Sequence, residues 1–144
     1  MKNVACAQAE QLGLNVTDIQ WVPGSMEKPL AVKRLLTEFG MGSSLRRRDY
    51  TQATVRAIKD ALWHNSINLA ELFGKDKAEM LIDVQVGVQD PSAVDSAAVA
   101  EIFPYGQVTV AVVQGGLDVP RSEGHPTVMA NVAISVSLDL GVPS

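Results

Sequence analysis

The stretch Lys77 to Gln89, "KAEMLIDVQVGVQ", constrains the fold of this chain more than any other. Met80, Ile82, Val84, Val86 and Val88 alternate with Asp83, Gln85 and Gly87, the period of a strand covered on one face. A strand of that kind needs a covering layer on one side, and the rest of the chain supplies helices and further strands.

"VKRLLTEFG", residues 32–40, reads as a strand ended by glycine. The helix "DYTQATVRAIKDALWHN" follows, with Val55, Ile58 and Leu62 at helical spacing. Asp49 and Gln52 have the spacing of a capping box. After the alternating strand, "DPSAVDSAAVAEIF" reads as a second, shorter helix, with Pro91 just inside a capping Asp90 and Pro104 as its stop. "GQVTVAVVQGG" and "TVMANVAISVSL" read as two further strands. The expected architecture is therefore α+β, in the order strand, helix, strand, helix, strand, strand. Two right-handed crossovers and an antiparallel pair give a mixed sheet with both helices on one face.

That leaves a second face uncovered. Its residues in the last two strands, Asn131, Ala133, Ser135 and Ser137 with Thr109, Ala111 and Val113, are small and half-polar. They suit packing against another sheet or subunit better than water, so a homo-oligomer is expected. Residues 1–31 read as an extension with one helix ended by Gly13 and a short strand "VTDIQWV". The expectation is one domain over 1–144 with its core in 32–140, since 144 residues suffice to bury a core.

Composition narrows the partners. With 47% hydrophobic and 19% charged residues, the chain is globular in character. A net charge of −4, with no basic stripe beyond Arg46 to Arg48, argues against nucleic acid and against an anionic membrane surface. The single cysteine, Cys6, gives no disulfide framework, and two histidines with one cysteine give no metal constellation. No apolar run reaches the roughly 18 residues of a membrane span, and the N-terminal patch is broken by Gln8, Glu10 and Gln11. No cofactor is expected, and the default location is cytoplasmic.

The chemistry concentrates in "EFGMGSSLRRRDYTQA", residues 38–53. Three arginines directly before a helix start are locally unfavourable, because that end already carries partial positive charge. Gly40 and Gly42 permit a sharp turn and a close ligand approach, Ser43 and Ser44 add donors, and guanidiniums grip carboxylate or phosphate at two points. The pattern lacks the third glycine of a dinucleotide site and the Gly-Lys-Ser/Thr of a P-loop. An anion site and a solvated loop neutralised by Glu38 and Asp49 both account for it.

Within this stretch, "EFGMG", together with "TQATVRAIKDAL", "PYG" at 104–106, "VVQGGL" at 112–117 and "ANVAISV" at 130–136, resembles the Lin-type conserved hypothetical protein family of bacteria, plants and fungi. The resemblance spans about Leu35 to Leu138. It implies a shared fold and site location and no particular reaction. The family motif Gly-x-Gly-x-Asp-x-His-Gly keeps Gly40 and Gly42 here, but Ser44 stands at the aspartate, Arg46 at the histidine and Arg47 at the last glycine. Neither Ser44 nor Arg46 readily handles protons near neutral pH, so if the family acts through that pair, the resemblance implies lost chemistry or a pocket recast to hold an anion.

Other candidates carry competing structural readings. Asp60 and His64 share a helix face that also carries Arg56 and Lys59, which reads as solvated. The loop "DVPRSEGHP", with Arg121, Glu123 and His125, is a lid or an ordinary connection. Asp83 needs a partner in the sheet. Cys6 has no identified base.

The leading expectation is a small oligomeric enzyme acting on a compact anionic or cyclic amide-like metabolite at a subunit edge. In it, Arg46 or Arg48 holds the anion, Gly42 and Ser43 supply backbone donors, and Gly40 and Ser44 belong to the same substrate-binding turn. Glu38 or Asp49 handles a proton, and Asn131 orients the substrate. The alternative is a non-catalytic sensing or assembly subunit whose arginines pair with Glu38, Asp49 or Asp83 between subunits.

Overall fold

A computed structural model of the chain describes residues 31–63 and 69–141. The expectations for the N-terminal extension, Cys6 and His64 lie outside the described residues.

The central alternation forms β2 (Leu81–Val88), with Ile82, Val84, Val86 and Val88 buried. Before it come β1 (Val32–Ser44), α1 (Tyr50–Trp63) and the short α2 (Leu69–Leu72). After it come α3 (Ser96–Ala100), β3 (Gln107–Gln114), β4 (Leu117–Val119) and β5 (Thr127–Asp139). The sheet is mixed, in the order β1-β5-β2-β3, with β4 paired to β5 off that path. β5 runs antiparallel to β1, β2 and β4, while β2 and β3 run parallel. The α+β class is as the sequence implies. The last strand, however, does not pair with β3; it inserts between β1 and β2. Its side chains explain the position, because Val128, Ala130, Val132, Ile134, Val136 and Leu138 are all buried, a load that a central strand carries and an edge strand does not.

α1 crosses β1 and β5 at very close range. A Cβ added to Gly40 would lie 2.1 Å from the Ala57 carbonyl oxygen, and one added to Gly42 would lie 2.3 Å from the Ala57 nitrogen. The helix meets those glycines with Ala53, Ala57 and Ala61, all fully buried beside Thr54 and Ile58. The expected Val55, Ile58, Leu62 stripe is thus rotated: only Ile58 is fully buried, because the backbone approach selects the alanine face. β1 also continues through both glycines to Ser44, where the sequence suggested a strand end.

The expected second helix divides into two turns. A 3-10 turn spans Pro91–Ala93, and Asp95 caps α3, its Oδ1 accepting from the Ala97 and Ala98 nitrogens at 3.1 Å each. Asp90 instead accepts from the Ser92 hydroxyl at 2.6 Å. The alanine-rich stretch therefore starts its helix five residues later than Asp90 and Pro91 suggest.

β4, which has no sequence signature of its own, is made possible by Gly115 and Gly116. The chain leaves β3, passes the end of β2 and joins β5 directly, with Gly116 at φ +61°. A Cβ there would stand 2.2 Å from the Met129 carbonyl oxygen, so only glycine fits. Asn131 Oδ1 accepts the Gly116 N–H at 3.1 Å, and Gln89 Nε2 donates to the Gly115 carbonyl at 2.9 Å.

The opposite face of the sheet has no covering element among the described residues. Three rows cross it in register: Thr37, Ser135, Asp83, Thr109; then Phe39, Ala133, Gln85, Ala111; then Met41, Asn131, Gly87, Val113. Thr37 and Ser135 hydroxyls bond at 3.0 Å. Phe39 and Met41 remain 73% and 63% exposed.

Candidate functional site

The turn between β1 and α1 is built from its ends inward. Ser44 is buried at the end of β1, and its Oγ accepts the Asp49 N–H at 3.3 Å. Asp49 caps α1, its Oδ1 accepting the Gln52 N–H at 2.9 Å. The anionic cap answers the helix's N-terminal partial charge from within the chain. The middle of the turn is tied to β5 and the loop before it: the Leu45 carbonyl accepts from Thr127 Oγ1 at 3.2 Å and from Arg121 Nη1 at 3.5 Å.

These ties separate the three arginines. Arg48 takes a left-handed backbone, φ 50°, the one such non-glycine among the described residues, a conformation that costs of order 1 kcal/mol. Its guanidinium lies beside the Tyr50 hydroxyl. Tyr50 in turn donates to Asp118 Oδ2 on β4. Burial first, and the bond to Asp118 second, push the Tyr50 phenol above its usual value of 10. Asp118 Oδ1 is shut away from solvent with no hydrogen-bond partner.

Arg46 and Arg47 stay on the other side. With Arg56 from α1 they line a cavity of about 550 Å³, whose remaining walls are Ser44, Leu45, Asp49 and Gln52. Arg56 Nη1 donates to the Ser43 carbonyl, which braces it against the end of β1. Three guanidiniums thus face one cavity against a single carboxylate. Among the described residues neither ion pair involves any of them, since both, Lys75 with Glu79 and Lys77 with Glu71, lie near α2. Guanidiniums gathered from two elements, none of them in an ion pair among the described residues, fit a compact anion with more than one oxygen.

Of the expected site residues, Ser44, Arg46 and Asp49 line this cavity. Arg48 is drawn away to Tyr50. Ser43 presents its carbonyl to Arg56. Gly40 and Gly42 lie beneath α1, where they serve helix packing. Glu38 sits six residues before Ser44 along β1, about 20 Å away at strand rise, and does not line the cavity. Asn131 belongs to the uncovered face and anchors Gly116. Asp83 lies on that face also. Arg47, Gln52 and Arg56 are contributors that the sequence reading missed. The spacing of Asp49, Gln52 and Arg56, at i, i+3 and i+7, puts them on one helix face and could have found the last two. The Tyr50 to Asp118 bond has no local signal. No group of three or more His, Cys, Asp or Glu side chains among the described residues is placed to hold a metal ion. No helix among them is long and apolar enough to cross a membrane.

Comparison with known proteins bears on the family and the fold. A family model described as a conserved hypothetical protein, Lin0512_fam, matches residues 34–136, from within β1 to within β5. No curated protein matches the chain. The crystal structure of an FtsZ-like protein of unknown function from Nostoc punctiforme PCC 73102 is similar, with 31% identity and a TM-score of 0.71. The similarity covers 76% of this chain and 98% of that one.

Proposed function

The chain belongs to the conserved hypothetical protein family Lin0512_fam, and from that premise we propose that it is a small enzyme acting on a compact anionic metabolite held in the Arg46, Arg47, Arg56 cavity. One observation carries the reading: three guanidiniums from two elements converge on one space and have no carboxylate partner there except Asp49. Arg46 and Arg47 on the turn and Arg56 on α1 grip the anion from two directions. Asp49, whose Oδ2 is not needed for the helix cap, is the carboxylate placed to move a proton. A cyclic amide carrying a carboxylate fits the same donors, with Gln52 as an amide partner.

A thermal-shift screen against mono- and dicarboxylates, phosphates and cyclic amides tests this. Compounds with two or more anionic oxygens are expected to raise the melting temperature of the native protein and not that of the Arg46→Ala, Arg56→Ala variant. Arg48→Ala is expected to keep the response, since its side chain is directed to Tyr50. Absence of stabilisation by every class would overturn the reading. If the variant lost oligomeric mass instead of ligand response, the arginines would be assembly contacts. Turnover in the responding class, abolished by Asp49→Asn, would establish the enzymatic part.

A further inference from the structure

The uncovered sheet face is independent of the anion cavity, which lies on the helix side. Its apolar side chains are unevenly placed. The large ones, Phe39 and Met41, stand on β1 at one edge, 73% and 63% exposed. In the same register rows the opposite edge strand, β3, carries Ala111 and Val113, and Thr109 lies one row along. Grooves of about 400 and about 300 Å³ flank Phe39, the first floored by Ala133, Ala111 and Thr109 and the second by Gly87 and Asn131. The Phe39 row, large at one edge and small at Ala111 on the other, is self-complementary, and the next row sets Met41 against Val113 as an apolar pair.

We infer that a second copy of this chain covers the open face, with Phe39 of each copy seated over Ala111 and Thr109 of the other. A half-turn about an axis parallel to the strands lays β1 over β3 and β5 over β2 while keeping each row opposite itself. Phe39 then meets Ala111, Met41 meets Val113, and the Asp83 carboxylate faces the hydroxyl of Ser135. The size fits as well. Four strands about 4.8 Å apart and eight residues at about 3.3 Å rise make a patch of about 20 by 25 Å. Over two copies that is about 1,000 Å², where specific interfaces begin. Five large apolar side chains near or on one face, Phe39, Met41, Val113, Leu117 and Val119, are exposed otherwise, more than a lone surface favours.

Light scattering after size-exclusion chromatography of the full chain, at micromolar concentration, tests the inference. The native protein is expected at a multiple of the 15.4 kDa chain mass. Phe39→Glu and Ala111→Lys should each weaken association at least tenfold, with far-UV circular dichroism unchanged because both side chains are exposed. Combining them should restore association, since a glutamate and a lysine then meet across the copies. The same two positions within one copy lie three strand spacings apart, about 14 Å, beyond ion-pair reach. A native monomer, single variants that keep the native mass, or a double variant no tighter than the singles would each overturn it.

Discussion

The Tyr50 hydroxyl at the start of α1 donates to the Asp118 carboxylate on β4, 68 residues further along the chain. Arg48 lies beside this bond, while Arg46 and Arg47 line the cavity on the turn. Tyr50→Phe leaves the half-buried Asp118 without its protein donor. The expected cost is about 1–3 kcal/mol, read as a lower midpoint in urea denaturation. Tyr50→Phe combined with Asp118→Leu should recover part of it, because the buried acceptor is then removed as well.

The same phenol makes stability fall in alkali. Burial and the Asp118 bond raise its folded pKa above 10, while the unfolded phenol titrates near 10. The folded state therefore keeps its proton longer. The contribution is complete below pH 10 and is lost as pH rises through the folded pKa. Denaturation midpoints above pH 10 are expected to fall more steeply for the native protein than for Tyr50→Phe; parallel curves would exclude the linkage.

Gly40→Ala and Gly42→Ala should be among the most damaging small substitutions in the chain. Each Cβ would meet helix backbone, at 2.1 Å and 2.3 Å, and backbone cannot move aside as a flexible side chain can. The expected loss is about 3 kcal/mol or more, measured by thermal denaturation. Ala57→Gly on the facing helix should rescue little, since the clashes are with main-chain atoms.

Anion binding in the arginine cavity should weaken as salt rises, because Arg46 and Arg47 are exposed and screening acts within about 10 Å at 0.1 M ionic strength. Removing Arg46 or Arg56 alone should cost about tenfold in affinity, about 1.4 kcal/mol, by calorimetric titration with the responding anion. Arg47→Ala is expected to do the same, which would establish it as a contributor that sequence spacing did not single out.

Asn131→Ala should act on stability and leave anion affinity unchanged. Its Oδ1 satisfies the Gly116 N–H at 3.1 Å on the sheet face opposite α1, so its loss costs about 1 kcal/mol. A tenfold change in anion affinity would place the residue in the binding site instead.

Local chemistry was enough to determine much of this protein. The alternation from Met80 to Val88, the Asp49 and Gln52 spacing that became a cap, and the glycines where β3 ends each follow from backbone hydrogen bonding and side-chain period, which neighbours along the chain decide. That Ser44, Arg46 and Asp49 border one cavity follows from their places at the strand end, the turn and the helix cap, which neighbours along the chain also decide. Only the tertiary structure decided that β5 lies between β1 and β2, because several strands share one alternation and burial on the helix side selects among them. It also turned Gly40 and Gly42 from a ligand turn into a floor for the Ala53, Ala57, Ala61 helix face. And it parted Arg48 from Arg46 and Arg47, since the partner that draws it aside, Tyr50, is held by a carboxylate on β4 far along the sequence.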